Sequence, residues 1–162
     1  MTVEEYNHSV DAFSDRLFRF LFKNLKNEDL SNDLVQDSFE KLWHHREDVE
    51  WAKSRSWLFT TGYRLMIDCL RKSKKQIEFD SEKAELVNFT NKQYTGLNEV
   101  LEDALNQLPS IQKQVVLLRD YEGYEYKEIG EITHLKESQV KVYIFRARKK
   151  LKAYIGSIDA VI

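Results

Sequence analysis

Apolar side chains recur every three or four residues along this chain, and only five glycines and one proline interrupt them over 162 positions. Val10, Phe13, Leu17, Leu21 and Leu25 form one such stripe, closed by the polar run KNEDLSND. A helix turns once per 3.6 residues, so this spacing gathers apolar groups on one face; a half-buried strand would need strict alternation, which is absent. The chain is therefore predicted to be all-α. A second helix is expected from about Leu30 to Trp43. A third is expected over Ser54–Lys74, where Trp57, Leu58, Tyr63, Leu65, Met66 and Leu70 are apolar and the basic RKSKK suits the negative pole of a helix dipole. Periodicity lapses between Gln76 and about Asn98, acidic at first and then rich in Asn and Thr, and resumes at Val100, Leu101, Ala104, Leu105 and Leu108. Pro109 then breaks the chain or opens a helix running through Arg119. The expected organisation is a small helical domain over 1–75, a flexible acidic linker over 76–98, a second small helical domain over 99–155 and a tail over 156–162.

Charge is divided unevenly among these parts. Residues 1–75 carry 13 acidic and 13 basic side chains, 76–135 carry 12 and 5, and 136–162 carry 2 and 7, in a chain of net charge -2. A basic element beside an acidic middle points to a nucleic-acid contact confined to that element. No apolar run reaches the roughly 18 to 20 residues of a membrane span, and the start MTVEEYNHSV lacks a signal peptide's basic and apolar segments, so a cytoplasmic chain without membrane insertion is expected. Cys69 is the only cysteine, and its place in YRLMIDCL reads as structural. His44 and His45 are adjacent, so they point to different sides of a helix, and no metal site or cofactor is expected. The sequence has no glycine-rich phosphate loop, no nucleophile with a base at a recognisable spacing and no carboxylate pair in a catalytic context, so no catalytic residue is assigned and the reading is non-enzymatic.

The basic element has a specific context. Two helices of about eight and sixteen residues, YKEIGEIT and one starting near Glu137, are separated by HLK, the pattern of a helix-turn-helix. Ile129, Ile132, Leu135, Val140 and Ile144 fall where the two helices must bury against each other, with Gly130 small at the closest approach. Gln139, Lys141, Tyr143, Arg146 and Lys150 are left for solvent or DNA; lysine and arginine bind phosphates, while Gln and Arg also reach base edges.

The run LPSIQKQVVLLRDYEGYEYKEIGEITHLKESQVKVYIFRARKKL resembles region 4 of bacterial extracytoplasmic-function sigma factors. Upstream, DLVQDSFEKLW at 33–43 resembles region 2.2 of the same family, and SWLFTTGYRLMIDCLRKSK at 56–74 resembles regions 2.3 and 2.4. Periodicity alone makes Leu34, Val35, Phe39, Leu42 and Trp43 core positions and Asp33, Gln36, Asp37 and Glu40 a polar face. The resemblance implies that Asp33, Gln36, Asp37 and Phe39 stand where the family grips the beta-prime clamp helices of core RNA polymerase, whose beta subunit is a further contact. It implies minus-ten promoter contacts at Trp57, Arg64, Asp68, Arg71 and Lys72, with an unstacked base captured from the single strand. Minus-thirty-five contacts are implied at Lys136, Ser138, Gln139, Lys141, Tyr143 and Arg146. The chain departs from the family pattern at Arg64, where asparagine is common, at Tyr63, where a basic residue is frequent, at Lys136, often a serine-type cap, and at His134, often glycine. The implied function is to bind core polymerase and direct promoter-specific initiation, with no cofactor, under a cognate anti-sigma factor that is often membrane-anchored. Two other readings stay open: a conventional helix-turn-helix repressor, for which no dimerisation element is visible, and a sigma-mimicking module that sequesters an anti-sigma factor.

Overall fold

The structure, a computed structural model, describes residues 1–80 and 96–159. The described residues are helices and turns without a strand, as the periodicity predicts. Helix α1 (Val3–Leu25) starts in a capping box: the Glu5 N–H donates to Thr2 Oγ1 at 3.1 Å and the Thr2 N–H to the Glu5 carboxylate at 2.8 Å. It stops at Lys26, whose φ of 56° is left-handed. Helix α2 (Glu28–His44) begins at once, because Asn27 Oδ1 accepts the Leu30 N–H at 3.0 Å. A short 3-10 turn, Trp51–Lys53, leads into α3 (Ser54–Asp80). Leu17, Phe20 and Leu21 of α1, Leu34, Phe39 and Leu42 of α2, and Leu58, Phe59 and Met66 of α3 close the core of this bundle. Each such burial is worth about 1.5–3 kcal/mol. Gly62 permits the α1–α3 approach, since a Cβ there would lie 2.9 Å from Leu17 Cδ1.

The second group comprises α4 (Leu97–Asn106), α5 (Ser110–Val116), α6 (Tyr126–Thr133) and α7 (Glu137–Asp159). Leu105, Leu108, Val115, Leu118, Ile129, Ile132, Val140, Ile144 and Ala147 are buried among them, and Leu135 packs half-buried against this core. Four of the five residues assigned to the helix-turn-helix seam are thus fully interior.

Several boundaries differ from the sequence reading. The linker is expected over 76–98, but helix α3 continues to Asp80 and α4 already begins at Leu97, while 81–95 lie outside the described residues. The helix expected through Arg119 is α-helical only to Val116 and widens into a π-turn over Leu117–Tyr121, where the Glu122 N–H reaches back to Leu117 O at 3.1 Å. Pro109 caps this helix in an extended conformation, with ψ 146°, so it sits just before the first turn. Helix α7 runs 23 residues, longer than expected, because Leu151, Tyr154 and Ile155 continue its apolar side and α4 packs against it.

The two groups pack on one another, α3 against α6 and α1 against α5. At this seam Phe59 and Tyr124 meet edge to face, with ring centroids 5.4 Å apart, and the Tyr63 hydroxyl donates to Gln114 Oε1 at 2.7 Å.

Candidate nucleic-acid interface

Helices α6 and α7 and the turn between them form the helix-turn-helix. His134 carries the turn in the left-handed region, φ 59°, and its N–H bonds Gly130 O. The Leu135 N–H donates to the same carbonyl at 3.1 Å. A Cβ on Gly130 would lie 2.7 Å from Leu135 O, so the small residue serves the turn backbone rather than the facing helix. The Lys136 N–H donates to Gln139 Oε1 at 3.0 Å, so the Gln139 side chain folds back to cap the helix start that lacks a serine.

Val140, Ile144 and Ala147 point into the domain, and the opposite face of α7 presents Ser138, Val142, Phe145, Arg146 and Lys149. Phe145 is 69% exposed and Val142 45%, which makes them conspicuous apolar groups on a basic helix. No motif in the sequence singles out either residue, although each lies opposite the buried stripe in helical register. Tyr143, expected to be free for DNA, is instead half-buried against the core, since its position flanks the apolar stripe. Lys136, Ser138, Lys141 and Arg146 are exposed. Lys141 Nζ lies 3.6 Å from Glu137 Oε1 and 5.7 Å from the centroid of the Tyr126 ring. The Arg119 guanidinium lies 4.6 Å from the same centroid, anchored by a 2.9 Å bond from Nη1 to Tyr124 O. Arg148, by contrast, is occupied within the domain: Nε donates to Asp120 Oδ2 at 3.2 Å and Nη2 to Oδ1, which holds its pKa above the usual arginine value.

On α3, Trp57, Thr61, Arg64, Asp68, Arg71 and Lys72 recur at spacings of three and four and share one face. Arg64, Asp68, Arg71 and Lys72 are exposed there, and Trp57 is half-buried. At the upper end a cleft of about 300 Å³ opens between α2 and α3, lined by Lys41, His45, Trp57, Thr61, Arg64 and Leu65. His45 tilts over Trp57 with ring centroids 5.8 Å apart. Two aromatic rings beside two cations offer stacking and phosphate contacts in a space large enough for one base. Lys41 and His45 belong to α2 and its C-terminal cap, and no local pattern in the sequence joins them to Trp57.

On α2, Asp33, Gln36 and Asp37 are exposed on one side. Phe39, grouped with them by resemblance, is only 7% exposed. Its ring meets Tyr6 edge to face at 6.4 Å, and its carbonyl accepts the Tyr6 hydroxyl at 3.1 Å. It packs α2 against α1, so its ring lies inward rather than on the polar face with Asp33, Gln36 and Asp37. Among the described residues no group of three or more His, Cys, Asp or Glu could hold a metal ion, and no helix is long and apolar enough to cross a membrane.

Comparison with known proteins gives concordant results. The family model for sigma-70 region 2 matches residues 10–76, and that for sigma-70 region 4 matches 98–151. The chain is 28% identical to the ECF RNA polymerase sigma factor SigM of Bacillus subtilis (strain 168), covering 94% of each chain. It is 32% identical to the RNA polymerase sigma factor SigV of the same organism, over 88% of this chain and 86% of the relative. Among solved structures it is similar to the sigma factor RpoE in complex with the anti-sigma factor NepR from Bartonella quintana, with a TM-score of 0.79 and 24% identity over 95% of this chain and 98% of the other. Two sigma-70 regions in order, on a two-domain helical fold with a basic helix-turn-helix, make this chain a member of the extracytoplasmic-function group of RNA polymerase sigma factors.

Proposed function

We propose that this chain divides the work of a sigma factor among three surfaces. Asp33, Gln36 and Asp37 on α2 bind the beta-prime clamp helices of core polymerase. The α3 face from Trp57 to Lys72 holds the non-paired strand of the minus-ten element, with one base in the cleft between α2 and α3. Lys136, Ser138, Lys141 and Arg146 on α7, joined by Phe145 and Val142, address the minus-thirty-five duplex. The cations supply salt-dependent phosphate contacts, and the apolar pair is suited to the methyl groups of thymine in a major groove.

The observation that carries this reading is the aromatic and cationic cleft of Trp57, His45, Lys41 and Arg64 in the same chain as a basic helix-turn-helix. A repressor needs only the second of these, and a decoy for an anti-sigma factor needs neither. The chemistry of RNA synthesis belongs to the polymerase, and this chain selects where it starts, in the compartment that holds DNA. A cognate anti-sigma factor is the regulatory partner we infer, on the likeness to a sigma factor bound to one. Run-off transcription with core polymerase is the test. A transcript of defined start that depends on this chain supports the reading, and absence of any defined start overturns it.

A further inference from the structure

We propose that the cavity between α1 and the π-turn is a binding site for a protonated phosphate group, carried by inorganic phosphate or by a phosphate monoester: Arg16, Arg19 and Lys23 take its negative oxygens and Glu122 accepts its proton. The site shares no residue with the three surfaces assigned above.

The cations come from one helix. Arg16, Arg19 and Lys23 recur at spacings of three and four on α1 and share one face, where they line a cavity of about 170 Å³ that Leu117, Tyr121 and Glu122 close from the other side. A cavity of about 150 Å³ holds one benzene-sized molecule, so a single phosphate group fits. Like charges so placed repel one another, and they are poorly compensated here. Arg19 has Asp15 at 3.3 Å, whereas among the described residues neither Arg16 nor Lys23 has a carboxylate within ion-pair distance. Burial, helped by Arg19 and Lys26, holds Lys23 below the ordinary lysine value despite the opposing pull of Glu102 and Glu122. Arg55 of α3 adds a fourth cation, its Nη2 3.7 Å from Glu122 Oε2. One carboxylate faces four cations, and an incoming anion relieves the excess. Arginine suits this task, because its planar fork matches the oxygens of a phosphate.

Glu122 sets which anion is taken. Its side chain is only 9% accessible, and Oε2 is buried without a hydrogen-bond partner, as are Arg55 Nε and the Tyr124 hydroxyl. The Arg55 guanidinium lies 4.4 Å from the centroid of the Tyr124 ring, so the three unpaired groups form one cluster. Buried polar atoms left unpaired oppose burial, and a ligand that pairs them is favoured. An ionised carboxylate can only accept, so the ligand must bring a donor as well as negative charge. Inorganic phosphate keeps at least one proton near neutral pH, and a monoester keeps one in part. Sulfate keeps none, and it would meet Glu122 as one anion meets another.

Isothermal titration calorimetry on the full-length chain, near neutral pH and at constant ionic strength, compares inorganic phosphate, methyl phosphate and sulfate. We expect saturation at one phosphate group per chain, with sulfate weaker by about tenfold or more, since it leaves a buried acceptor unpaired. Tighter binding of inorganic phosphate than of methyl phosphate names the free anion as the ligand, and the reverse order names a monoester. Arg16→Gln and Lys23→Gln, each checked for native circular dichroism, should each weaken phosphate by about tenfold, as the loss of one charge-assisted hydrogen bond does. Glu122→Gln puts an amide donor where the acceptor stood, and it should bind phosphate and sulfate alike. Absence of saturable phosphate binding, or binding unchanged in both cation variants, overturns the site. Equal binding of sulfate by the unaltered chain, or a preference for phosphate that survives Glu122→Gln, overturns the role given to Glu122 and with it the protonated phosphate as ligand.

Discussion

The Tyr63 hydroxyl and Gln114 Oε1, 51 residues apart in sequence, meet at 2.7 Å in the buried seam between the two domains. Burial pushes the phenol up to about 12, against an ordinary 10.0. The neutral phenol is therefore favoured in the folded chain, and its contribution is complete below pH 10 and lost as pH rises toward about 12. Tyr63→Phe leaves the Gln114 carbonyl without its donor and should lower stability at neutral pH by about 1–3 kcal/mol. In thermal melts the gap between wild type and variant should narrow above pH 10, and a gap constant with pH would contradict the assignment.

Lys113 is buried in α5, where Nζ donates to Asn106 Oδ1 at 2.9 Å. Desolvation, and then the nearby Lys26, bring its pKa down from 10.5 to about 8, with Glu102 acting in the opposite sense. A depressed lysine disfavours the folded state wherever the unfolded chain binds the proton, so the penalty is full below pH 8 and fades as pH rises toward 10.5. Lys113→Met keeps the volume and removes the charge. It should raise the melting temperature at pH 7, and the advantage should shrink steadily between pH 8 and pH 10.

The turn of the helix-turn-helix offers paired substitutions with opposite signs. His134→Gly relieves a left-handed backbone at φ 59° and should stabilise the fold by about 0.5–1 kcal/mol. Gly130→Ala puts a Cβ 2.7 Å from Leu135 O, a backbone atom that cannot swing aside, and should cost about 1–3 kcal/mol. Chemical denaturation of both variants checks the pair, and equal signs would refute the turn geometry.

Asp33 and Asp37 are exposed on a helix anchored by Leu34, Phe39 and Leu42. Reversing both charges to lysine should leave the circular dichroism and melting temperature unchanged within about 0.5 kcal/mol of stability. Core polymerase capture should fall by about tenfold or more, because two attractive charges of one interface become repulsive. Normal capture by a natively folded variant would remove α2 from the polymerase contact.

Lys141 and Arg146 differ in setting, one beside Tyr126 and Glu137 and the other on the outer face next to Phe145. Lys141→Ala should weaken all promoters alike and reduce the salt slope by about one, as for one phosphate contact. Arg146→Ala should cost about 1–3 kcal/mol and relax preference at one minus-thirty-five position. Transcription from a library of minus-thirty-five sequences distinguishes these outcomes, and wild-type strength and ranking in both variants would make α7 an ordinary solvated face.

The helical class and the helix-turn-helix are legible in the residues alone, because they depend on a local period of 3.6 residues, on capping groups and on turn chemistry. The stripe from Trp57 to Lys72 is legible too, since spacings of three and four fix one face of a helix whatever surrounds it. Packing settles what remains. Whether Tyr143 or Phe145 points outward depends on where the core lies around α7, and a residue flanking an apolar stripe is not assigned by periodicity. The polar face of α2 is exposed at Asp33, Gln36 and Asp37, as their spacing implies, but Phe39 turns inward to meet Tyr6, a partner 33 residues away. The cleft joins Lys41 and His45 of one helix to Trp57 and Arg64 of another, and the seam sets Glu122 among Arg16, Arg19, Lys23 and Arg55. Such encounters follow from the way whole helices pack, an outcome of buried area summed over both domains, and no short stretch of sequence contains it.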